Sequence, residues 1–429
     1  MNLPNLKPRQ LVIPGIALAV VVIGALIYFN LKPNANSLPK VTLVFWGLEE
    51  QVKFEKIISG YKELNKNVTI DYKQIKAKDY AEYRDMVFSA LAAGQGPDVF
   101  MIRNHDAHKE ANIIYPAPST QFTSAQLNDL FPTVAAQDFV FGGQVYALPL
   151  YIDTMALLYN KDLFDAAGIA EPPKTWENFL KIIPQLRQLD QNGRIVRAAS
   201  AIGGLESSVD RAVDLLNLLM LQNGAAMNSQ DLSRATFANQ KGAPEALDFY
   251  AQFSNGASPY YTWNESMQNS VDSFSGGKTA AIFDYQSVLP GIKNKSPFLR
   301  VGISAVPSTG ATPLTYADYV GLTTPKNGKW PTWAWDFIIY ATTNRDAVAG
   351  YLDSTGRPPA LRGDIAKKIG DADLGVFAKQ ALSARSWAIF DYEKTVNIFN
   401  NAIRSVILGG ADSDSALKQA EDQINQLAQ

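Results

Sequence analysis

Strand-like and helix-like segments alternate between residues 41 and 102. Segments rich in β-branched and aromatic residues, typical of strands, are VTLVFWG (41–47), VTIDYKQI (68–75) and PDVFMI (97–102). The two intervening segments carry apolar residues at helical spacing. This β-α-β-α-β order predicts a parallel sheet with right-handed crossovers, and ligands of such sheets lie beyond the carboxyl ends of the strands. The residues that follow the strands are therefore candidates for a binding site: Trp46, Glu49, Glu50, His105 and Asp106.

The length and composition indicate a large folded protein. A chain of 429 residues is too long for one ordinary core, so two lobes are expected. The net charge of −2, without a basic stripe, argues against a nucleic-acid partner. The sequence contains no cysteine, which excludes disulfides, thiol nucleophiles, Cys-ligated zinc, iron–sulfur clusters and lipidation at a lipobox cysteine.

An uncharged apolar segment, LVIPGIALAVVVIGALIYF, runs from Leu11 to Phe29. As a helix it is roughly 28 Å long, close to the thickness of a bilayer's hydrocarbon core. Lys7 and Arg9 precede it and favour a cytoplasmic N-terminus. The prediction is a single-pass protein of the cell membrane, with a cytoplasmic tip (1–10), a transmembrane anchor (11–29), a tether (30–39) and an extracytoplasmic body. A cleaved signal peptide is the alternative, although no A-x-A site follows.

Short motifs that resemble catalytic or metal-binding signatures do not fit their required context. GGKT (276–279) lacks the first glycine of a phosphate-binding loop and follows a helix, where that loop follows a strand. His105 and His108 have helical metal-binding spacing, but nothing else completes a site. The G-x-S-x-G, H-E-x-x-H and dinucleotide patterns are missing from the sequence. We therefore predict no catalytic residue, no metal and no cofactor, while a pair of catalytic carboxylates stays open because its spacing is three-dimensional.

Aromatic and acidic residues recur beside the predicted strand ends. Tyr151 and Asp153 flank one strand, and Tyr285, Tyr316 and Trp387 lie near others. Flat apolar faces beside carboxylates suit a sugar ring, which presents C–H faces and a belt of hydroxyls. The same set suits a cationic ligand such as a polyamine, through cation–π contacts and charge pairing.

An ordered series of segments, none of them diagnostic alone, gives the chain a family likeness. The series is VTLVFWG, DYAEYRDMVFSALAAGQGPDVFMI, GGQVYALPLYIDTMALLYNKDLFDAAGIAEPPKTWENF, FSGGKTAAIFDY, YVGLTTPKNGKWPTWAWDFIIYATTN, YLDSTGRPPALR and AIRSVILGGADSDSALKQAEDQINQLA. In this order the chain resembles the extracellular solute-binding proteins of ABC importers, the group that includes maltose-binding protein. The likeness covers nearly all of residues 40–429. Its departure is the apolar N-terminal span, which stands where the family usually has a lipidated cysteine or a cleaved signal.

The resemblance implies an α/β fold of the periplasmic-binding-protein-like type II. It implies two α/β lobes, an N-lobe (40–150 plus 320–356) and a C-lobe (151–319 plus 357–429). A three-crossover hinge joins them. The ligand binds in the cleft between them by hinge closure, and no bond chemistry takes place. Carried over position by position, the ligand-binding residues are Trp46, Glu49, Glu50, His105, Asp106, Tyr151, Asp153, Asp284, Tyr285, Tyr316, Asp318, Arg357 and Trp387.

The resemblance implies a sugar or oligosaccharide as the ligand and an ABC transporter permease as the partner. The membrane is contacted through residues 11–29, and the protein is expected to be a monomer. Three alternatives stay open at this point. The same scaffold serves a carbohydrate-active hydrolase, a tethered sensor or adhesin, or a binding protein for a cationic solute.

Overall fold

The computed structural model describes residues 38–310 and 313–427. The predicted anchor at residues 11–29, the cytoplasmic tip and most of the tether lie outside these residues. In the part of the chain that the structure describes, no helix combines the length and apolar character needed to cross a bilayer.

The strands are short, and most of them are four to seven residues or only two residues long. They are β1 (Val41–Gly47), β2 (Val68–Gln74), β3 (Val99–Arg103), β4 (Val140–Phe141), β5 (Gln144–Val145), β6 (Leu148–Pro149), β7 (Asp153–Thr154), β8 (Ala156–Asn160), β9 (Gln188–Leu189), β10 (Ile195–Arg197), β11 (Ala281–Asp284), β12 (Val301–Ala305), β13 (Thr315–Asp318), β14 (Val320–Thr323) and β15 (Ala384–Arg385).

Helices fill most of the chain between the strands. They are α1 (Gln51–Leu64), α2 (Tyr80–Ala92), α3 (Asn104–Ala107), α4 (Ser124–Leu130), α5 (Thr133–Phe139), α6 (Lys161–Ala166), α7 (Trp176–Leu186), α8 (Ala212–Gln222), α9 (Gly242–Ala251), α10 (Ser270–Ser275), α11 (Leu289–Lys295), α12 (Pro331–Thr343), α13 (Arg345–Thr355), α14 (Arg362–Lys368), α15 (Gly375–Ala381), α16 (Tyr392–Ile407) and α17 (Ser413–Gln426).

The first sheet contains the strands predicted from the alternating pattern. Its order is β2-β1-β3-β14-β6; β1 is parallel to β2 and β3, and β14 is antiparallel to β3 and β6. Alternate residues of β1 are buried, because one face of the strand packs under helices. Phe45 meets Phe54 of α1 edge to face at 5.0 Å and Phe337 of α12 at 5.9 Å. These contacts fix α1 and α12 on the sheet.

A second sheet belongs to a separate hydrophobic core. Its three antiparallel strands have the order β11-β8-β12. The core around it takes its buried side chains from residues 155–306, together with Tyr316, Phe377 and eleven apolar residues between Trp387 and Ile424. The first core instead uses residues 41–152, 317–365 and 378–384. Two cores within one chain are what its length predicts.

A third, small sheet lies where the chain passes between the two cores. Its order is β15-β13-β7, with β13 parallel to β15 and antiparallel to β7. Residues 150–152 lead from β6 in the first sheet to β7, and Tyr319 alone separates β13 from β14. Tyr151 also forms an isolated bridge with Pro359, beyond the end of α13. The lobe boundaries inferred from the sequence stay a prediction.

Several helices begin where short polar side chains cap them. The Asp79 side chain accepts a hydrogen bond from the Glu82 N–H at the start of α2, at 2.9 Å. The Thr175 hydroxyl accepts one from the Asn178 N–H at the start of α7, at 3.2 Å. Each cap satisfies one of the backbone donors that a helix start leaves unpaired. The double proline before Thr175 keeps the approach to α7 extended.

Candidate ligand-binding site

A cleft of about 570 Å³ opens where the carboxyl ends of the first sheet meet the second core. This is the position in which α/β proteins bind ligands. Five residues predicted from the sequence line it: Glu49, Tyr151, Asp153, Asp318 and Arg357. The structure adds residues that the sequence did not single out, among them Tyr80, Arg103, Glu206, Arg211, Tyr392 and Glu393.

Asp318 joins two arginines that come from different sides of the cleft. Arg103, the last residue of β3, donates from Nε and Nη2 to the two carboxylate oxygens of Asp318, both at 2.6 Å. Arg211, which precedes α8 in the second core, places Nη1 3.6 Å from Asp318 Oδ2. Burial alone raises the pKa of Asp318, but the charges of Arg103 and Arg211 outweigh it and hold that pKa well below its ordinary value. Asp318 is therefore a carboxylate that joins protein segments.

Asp153 and Arg357 form a second pair, beside the small sheet that contains β7. Asp153 accepts hydrogen bonds from the backbone N–H groups of Gln286 and Ser287, at 3.0 and 3.1 Å. Arg357 Nη1 lies 3.6 Å from Asp153 Oδ2, and its guanidinium sits 4.6 Å from the centre of the Tyr151 ring. Burial raises the pKa of Asp153 to about 6, in spite of the Arg357 charge and the two N–H groups.

Glu49 brings a third carboxylate to the cleft, from the turn between β1 and α1. The Tyr351 hydroxyl donates to Glu49 Oε1 at 3.1 Å. Its other oxygen, Oε2, is shielded from solvent and has no hydrogen-bond partner in the described part of the chain. Burial raises the pKa of this carboxyl above its ordinary value. An unpaired, buried acceptor beside a cavity is suited to a ligand hydroxyl.

Arg211 adopts an uncommon backbone conformation, with φ 65° and ψ 25°. This left-handed geometry costs a non-glycine residue on the order of 1 kcal/mol, so the surroundings must hold it in place. Glu206 does so, because its carboxylate accepts from the backbone N–H groups of Arg211 and Val213 at 3.2 and 3.0 Å. Burial raises the pKa of Glu206 to about 7. The strained turn directs the Arg211 side chain toward Asp318.

The remaining candidates from the sequence lie outside this cleft. Trp46 lines an adjoining groove, Asp284 lines a smaller cavity beside Glu206, and Glu50 is exposed just before α1. Tyr285 is buried under the Arg211 guanidinium, which lies 5.1 Å from its ring centre. Its hydroxyl donates to Asp214 at 3.0 Å.

His105 and its neighbours are packed behind the cleft wall. The His105 ring is stacked between Tyr316 and Tyr392, at centroid distances of 5.5 and 4.9 Å. Burial lowers its pKa to about 3, so the imidazole is neutral at physiological pH. Asp106 lies 3.5 Å from Arg84 Nη1. Trp387 is 3% exposed and belongs to the second core, where it packs edge to face with Phe237 and Phe399.

Among the cleft residues that the sequence did not single out, Arg103 and Arg211 are the two arginines. Arg103 carries a usable signal, since it is the charged residue that directly follows the buried segment PDVFMI. Arg211 carries none, because it follows an irregular segment that has no periodic pattern. Its role depends on a backbone conformation that residue type alone does not reveal.

Three aromatic rings near the cleft are covered by arginines of the protein itself. Arg357 lies over Tyr151, Arg103 lies 4.2 Å from the Tyr392 ring centre, and Arg211 lies over Tyr285. Within residues 38–310 and 313–427, no group of three or more His, Cys, Asp or Glu side chains is arranged to hold a metal ion. The described cleft offers hydrogen-bonding groups of both charges: each of its three arginines faces a carboxylate, and Glu49 Oε2 has no partner.

Comparison with known proteins identifies the class. The family model described as bacterial extracellular solute-binding protein matches residues 56–372, and the chain belongs to this family. The periplasmic-binding-protein-like α/β fold predicted from the sequence is confirmed by solved structures. The predicted transmembrane helix lies outside the matched residues 56–372 and outside the described residues.

Individual relatives are distant in sequence and similar in fold. The multiple sugar-binding protein of Streptococcus mutans is 22% identical over 343 residues, which cover 77% of this chain and 78% of that protein. The cyclic alpha-maltosyl-1,6-maltose binding protein from Arthrobacter globiformis has a TM-score of 0.74 at 19% identity, covering 91% of this chain and 99% of that one. UgpB from Mycobacterium tuberculosis, solved with glycerophosphocholine, has a TM-score of 0.71 at 19% identity and covers 90% and 98%.

Proposed function

We propose that this chain binds a carbohydrate in the cleft and delivers it to an ABC importer, without performing bond chemistry. Family membership supports the binding role, and a sugar is the ligand named for two of the three relatives described above. The body works outside the cytoplasm as a monomer, and residues 11–29 anchor it to the cell membrane with the N-terminus inside. The importer's permease is its membrane partner.

The paired charges of the cleft are the observation that carries this proposal. Each of its three arginines already faces a carboxylate: Arg103 and Arg211 face Asp318, and Arg357 faces Asp153. A neutral ligand rich in hydroxyls can accept from the guanidiniums and donate to the carboxylates without adding net charge to a buried site. Glu49 supplies a further unpaired acceptor. A sugar has this chemistry.

A cationic solute is the weaker candidate. Recognition of a cation by cation–π contacts needs free aromatic faces. The rings of Tyr151 and Tyr392 are already occupied by guanidiniums of the protein. A polyamine that bound to either ring would have to displace an arginine that is itself held by a carboxylate.

We propose that ligand binding is coupled to hinge closure. The two lobes predicted from the sequence, residues 40–150 plus 320–356 and residues 151–319 plus 357–429, are linked through the small sheet of β7, β13 and β15. Six apolar residues of the second range pack in the first core: Ala360, Leu361, Ile365, Ala378, Ala381 and Ala384. Residues from both sides line the cleft, so a ligand that contacts both favours the closed arrangement by its differential affinity. The ligand-binding role of the residues outside the cleft, such as Trp387, stays a prediction.

Calorimetry with the full-length chain in detergent tests the function. We expect one or more neutral oligosaccharides from a linkage-diverse panel to bind, and spermidine not to bind. Arg357→Ala is expected to weaken sugar binding by roughly 1–3 kcal/mol, since it removes guanidinium donors from the cleft. Arg300→Ala is the matched control, because Arg300 pairs with Asp162 and Asp165 on the surface.

Three outcomes contradict the proposal. Binding of spermidine without any sugar favours the cationic solute. Chromatography that detects shortened sugars after incubation identifies a hydrolase. Crosslinking in intact cells to a histidine kinase, with no permease recovered, identifies a sensor.

A further inference from the structure

We propose that the binding site extends beyond the cleft into a groove on the first lobe, where Trp46 stacks against the outer sugar rings of an oligosaccharide. This inference rests on the proposed function and adds the size of the ligand to it. The groove measures about 1020 Å³, larger than the cleft itself. Two observations indicate that the groove binds carbohydrate: the chemistry of its lining residues and its connection to the cleft.

The groove and the cleft are continuous. Four residues line both of them: Lys78, Asp79, Ala81 and Glu393. Lys78, Asp79 and Ala81 come from the turn before α2 and its first residues, and Glu393 comes from the start of α16 in the other core. A ligand that fills the cleft can therefore leave it between two walls that belong to different cores.

Trp46 provides the flat apolar surface of the groove. The parallel register of β1 and β2 places Trp46 beside Lys73. The Tyr83 hydroxyl donates to the Trp46 carbonyl at 2.8 Å and so fixes the backbone beneath the ring. The indole Nε1 is shielded from solvent and has no hydrogen-bond partner among the described residues. An indole that has both a flat face and an unused donor suits a sugar ring with its hydroxyls.

Lys73 covers the Trp46 ring. Its ammonium nitrogen lies 4.6 Å from the ring centre, and the side chain is exposed. No carboxylate in the described part of the chain forms an ion pair with Lys73. An exposed cation–π contact is weak, so a sugar ring can displace this lysine.

The other groove residues supply the mixture that an oligosaccharide needs. Met86, 43% exposed, adds apolar surface to the groove, and the buried Ile75 forms part of its wall. Glu82 and Asp85 are exposed along the same side of α2 and offer acceptors for hydroxyl groups. Like the cleft, the groove offers hydrogen-bonding groups of both charges, here beside an apolar surface, so one ligand class fits both.

Binding measured over a length series tests the extension. The full-length chain in detergent is titrated by calorimetry with linear α-1,4-glucan, β-1,4-glucan, β-1,4-xylan and β-1,4-mannan oligosaccharides of one to six units. In the series that binds, we expect affinity to rise with length beyond the shortest member that binds. Trp46→Ala is expected to weaken the longest member about tenfold and to leave the shortest unchanged.

Two variants separate stacking from a general loss of folding. Lys73→Ala alters only an exposed side chain and is expected to strengthen binding of the longest member roughly threefold. Trp330→Ala is the matched control, since Trp330 also lies under a lysine, Lys329 at 5.4 Å, but lines neither cavity. It should leave every affinity unchanged.

The outcomes distinguish this inference from the proposed function. If a sugar series binds but affinity does not rise with length, or Trp46→Ala weakens short and long members equally or not at all, the groove extension is wrong and the cleft assignment stands. Unchanged affinity in Lys73→Ala also contradicts stacking on Trp46. If no series binds, the proposed function fails, and the extension fails with it.

Discussion

Asp318 shows how one side chain can hold separate segments together. Its carboxylate accepts two 2.6 Å hydrogen bonds from Arg103 and lies 3.6 Å from Arg211. The Asp318 side chain is only 14% exposed, so solvent does little to replace these contacts. Removing one partner of a buried ion pair leaves an uncompensated charge, which costs far more than the loss of a surface pair.

Asp318→Asn is expected to lower the free energy of unfolding by about 3–5 kcal/mol, because two buried guanidiniums lose their counter-charge. Urea denaturation at pH 7 measures this. Asp272→Asn serves as the control, since Asp272 pairs with Lys295 at a surface where both side chains are 55% exposed, and less than about 1 kcal/mol should be lost. Equal losses in the free energy of unfolding would show that the buried Asp318 contacts contribute no more to stability than a surface ion pair.

Asp284 gives stability a pH dependence of definite sign. It is 4% exposed, and burial raises its pKa to about 7. A carboxyl whose pKa is raised by folding binds its proton more tightly in the folded state. The contribution of Asp284 to the free energy of unfolding is therefore fully present below its pKa in the unfolded chain, near 4. That contribution is lost as the pH rises through about 7, its pKa in the folded protein.

Asp284→Asn removes this titration and keeps the shape of the side chain. We expect the variant to match the parent protein at pH 4.5 and to be roughly 1–3 kcal/mol more stable at pH 8, when both are unfolded by urea without ligand. Asp272→Asn again provides the control, with no such pH-dependent gain. A gain of equal size at both pH values would mean that charge at Asp284 is not the cause.

At the level of elements, the end of α13 shows why a helix end can require a particular residue. Gly356 follows the helix with φ 68°, and its N–H donates to the Leu352 carbonyl at 2.8 Å. The left-handed conformation that closes the helix is open to glycine and strained for residues with a Cβ. The next residue is Arg357, so the helix end also determines where that guanidinium enters the cleft.

Gly356→Ala is expected to destabilise the protein by about 1–2 kcal/mol through this strain. Gly291→Ala should instead raise the free energy of unfolding, because alanine favours a helix more than glycine does. Gly291 lies inside α11, and a Cβ there would meet no neighbouring atom within 4 Å. Urea unfolding of both variants gives the comparison. A Gly356→Ala protein as stable as the parent would remove the argument for glycine at this helix end.

At the scale of the whole molecule, contacts cross from one core to the other beside the cleft. Lys109 follows α3, which belongs to the first core, and its Nζ lies 3.0 Å from Oδ2 of Asp391 at the start of α16. Arg103 reaches the ring of Tyr392 on the same helix. The start of α16 is therefore an element of the second core that contacts the end of β3 and a residue shortly after it. A cleft with such contacts at its edge is suited to the closure that we propose.

The proposed anchor is tested with the full chain in cells. The protein is expected to stay in the membrane pellet after a carbonate wash, and mass spectrometry should find residues 11–29 retained. Val21→Arg places a charge in the middle of the span, costs roughly 2.5–3.5 kcal/mol and should release a measurable fraction. Asn34→Arg in the tether is the control. A mature chain that begins after residue 29 would identify a cleaved signal peptide instead.

The sequence by itself determined the parts of this protein that depend on local pattern. Alternating strand and helix signals predicted the parallel arrangement of β1, β2 and β3, which the structure confirms. The rule for strand ends directed attention to Glu49, Tyr151 and Asp153, which line the cleft. Absence of cysteine and a balanced charge excluded whole classes of chemistry from composition alone.

Only the tertiary structure decided which charges meet and which rings are free. Arg103 and Asp318 are 215 residues apart in sequence, so no local pattern links them. Trp387 looks like an available aromatic ring in the sequence, but it packs inside the second core, and Trp46 faces a groove that only the fold creates. Periodicity reports which face of an element is buried, whereas a binding site depends on contacts between distant elements that form when the two cores come together.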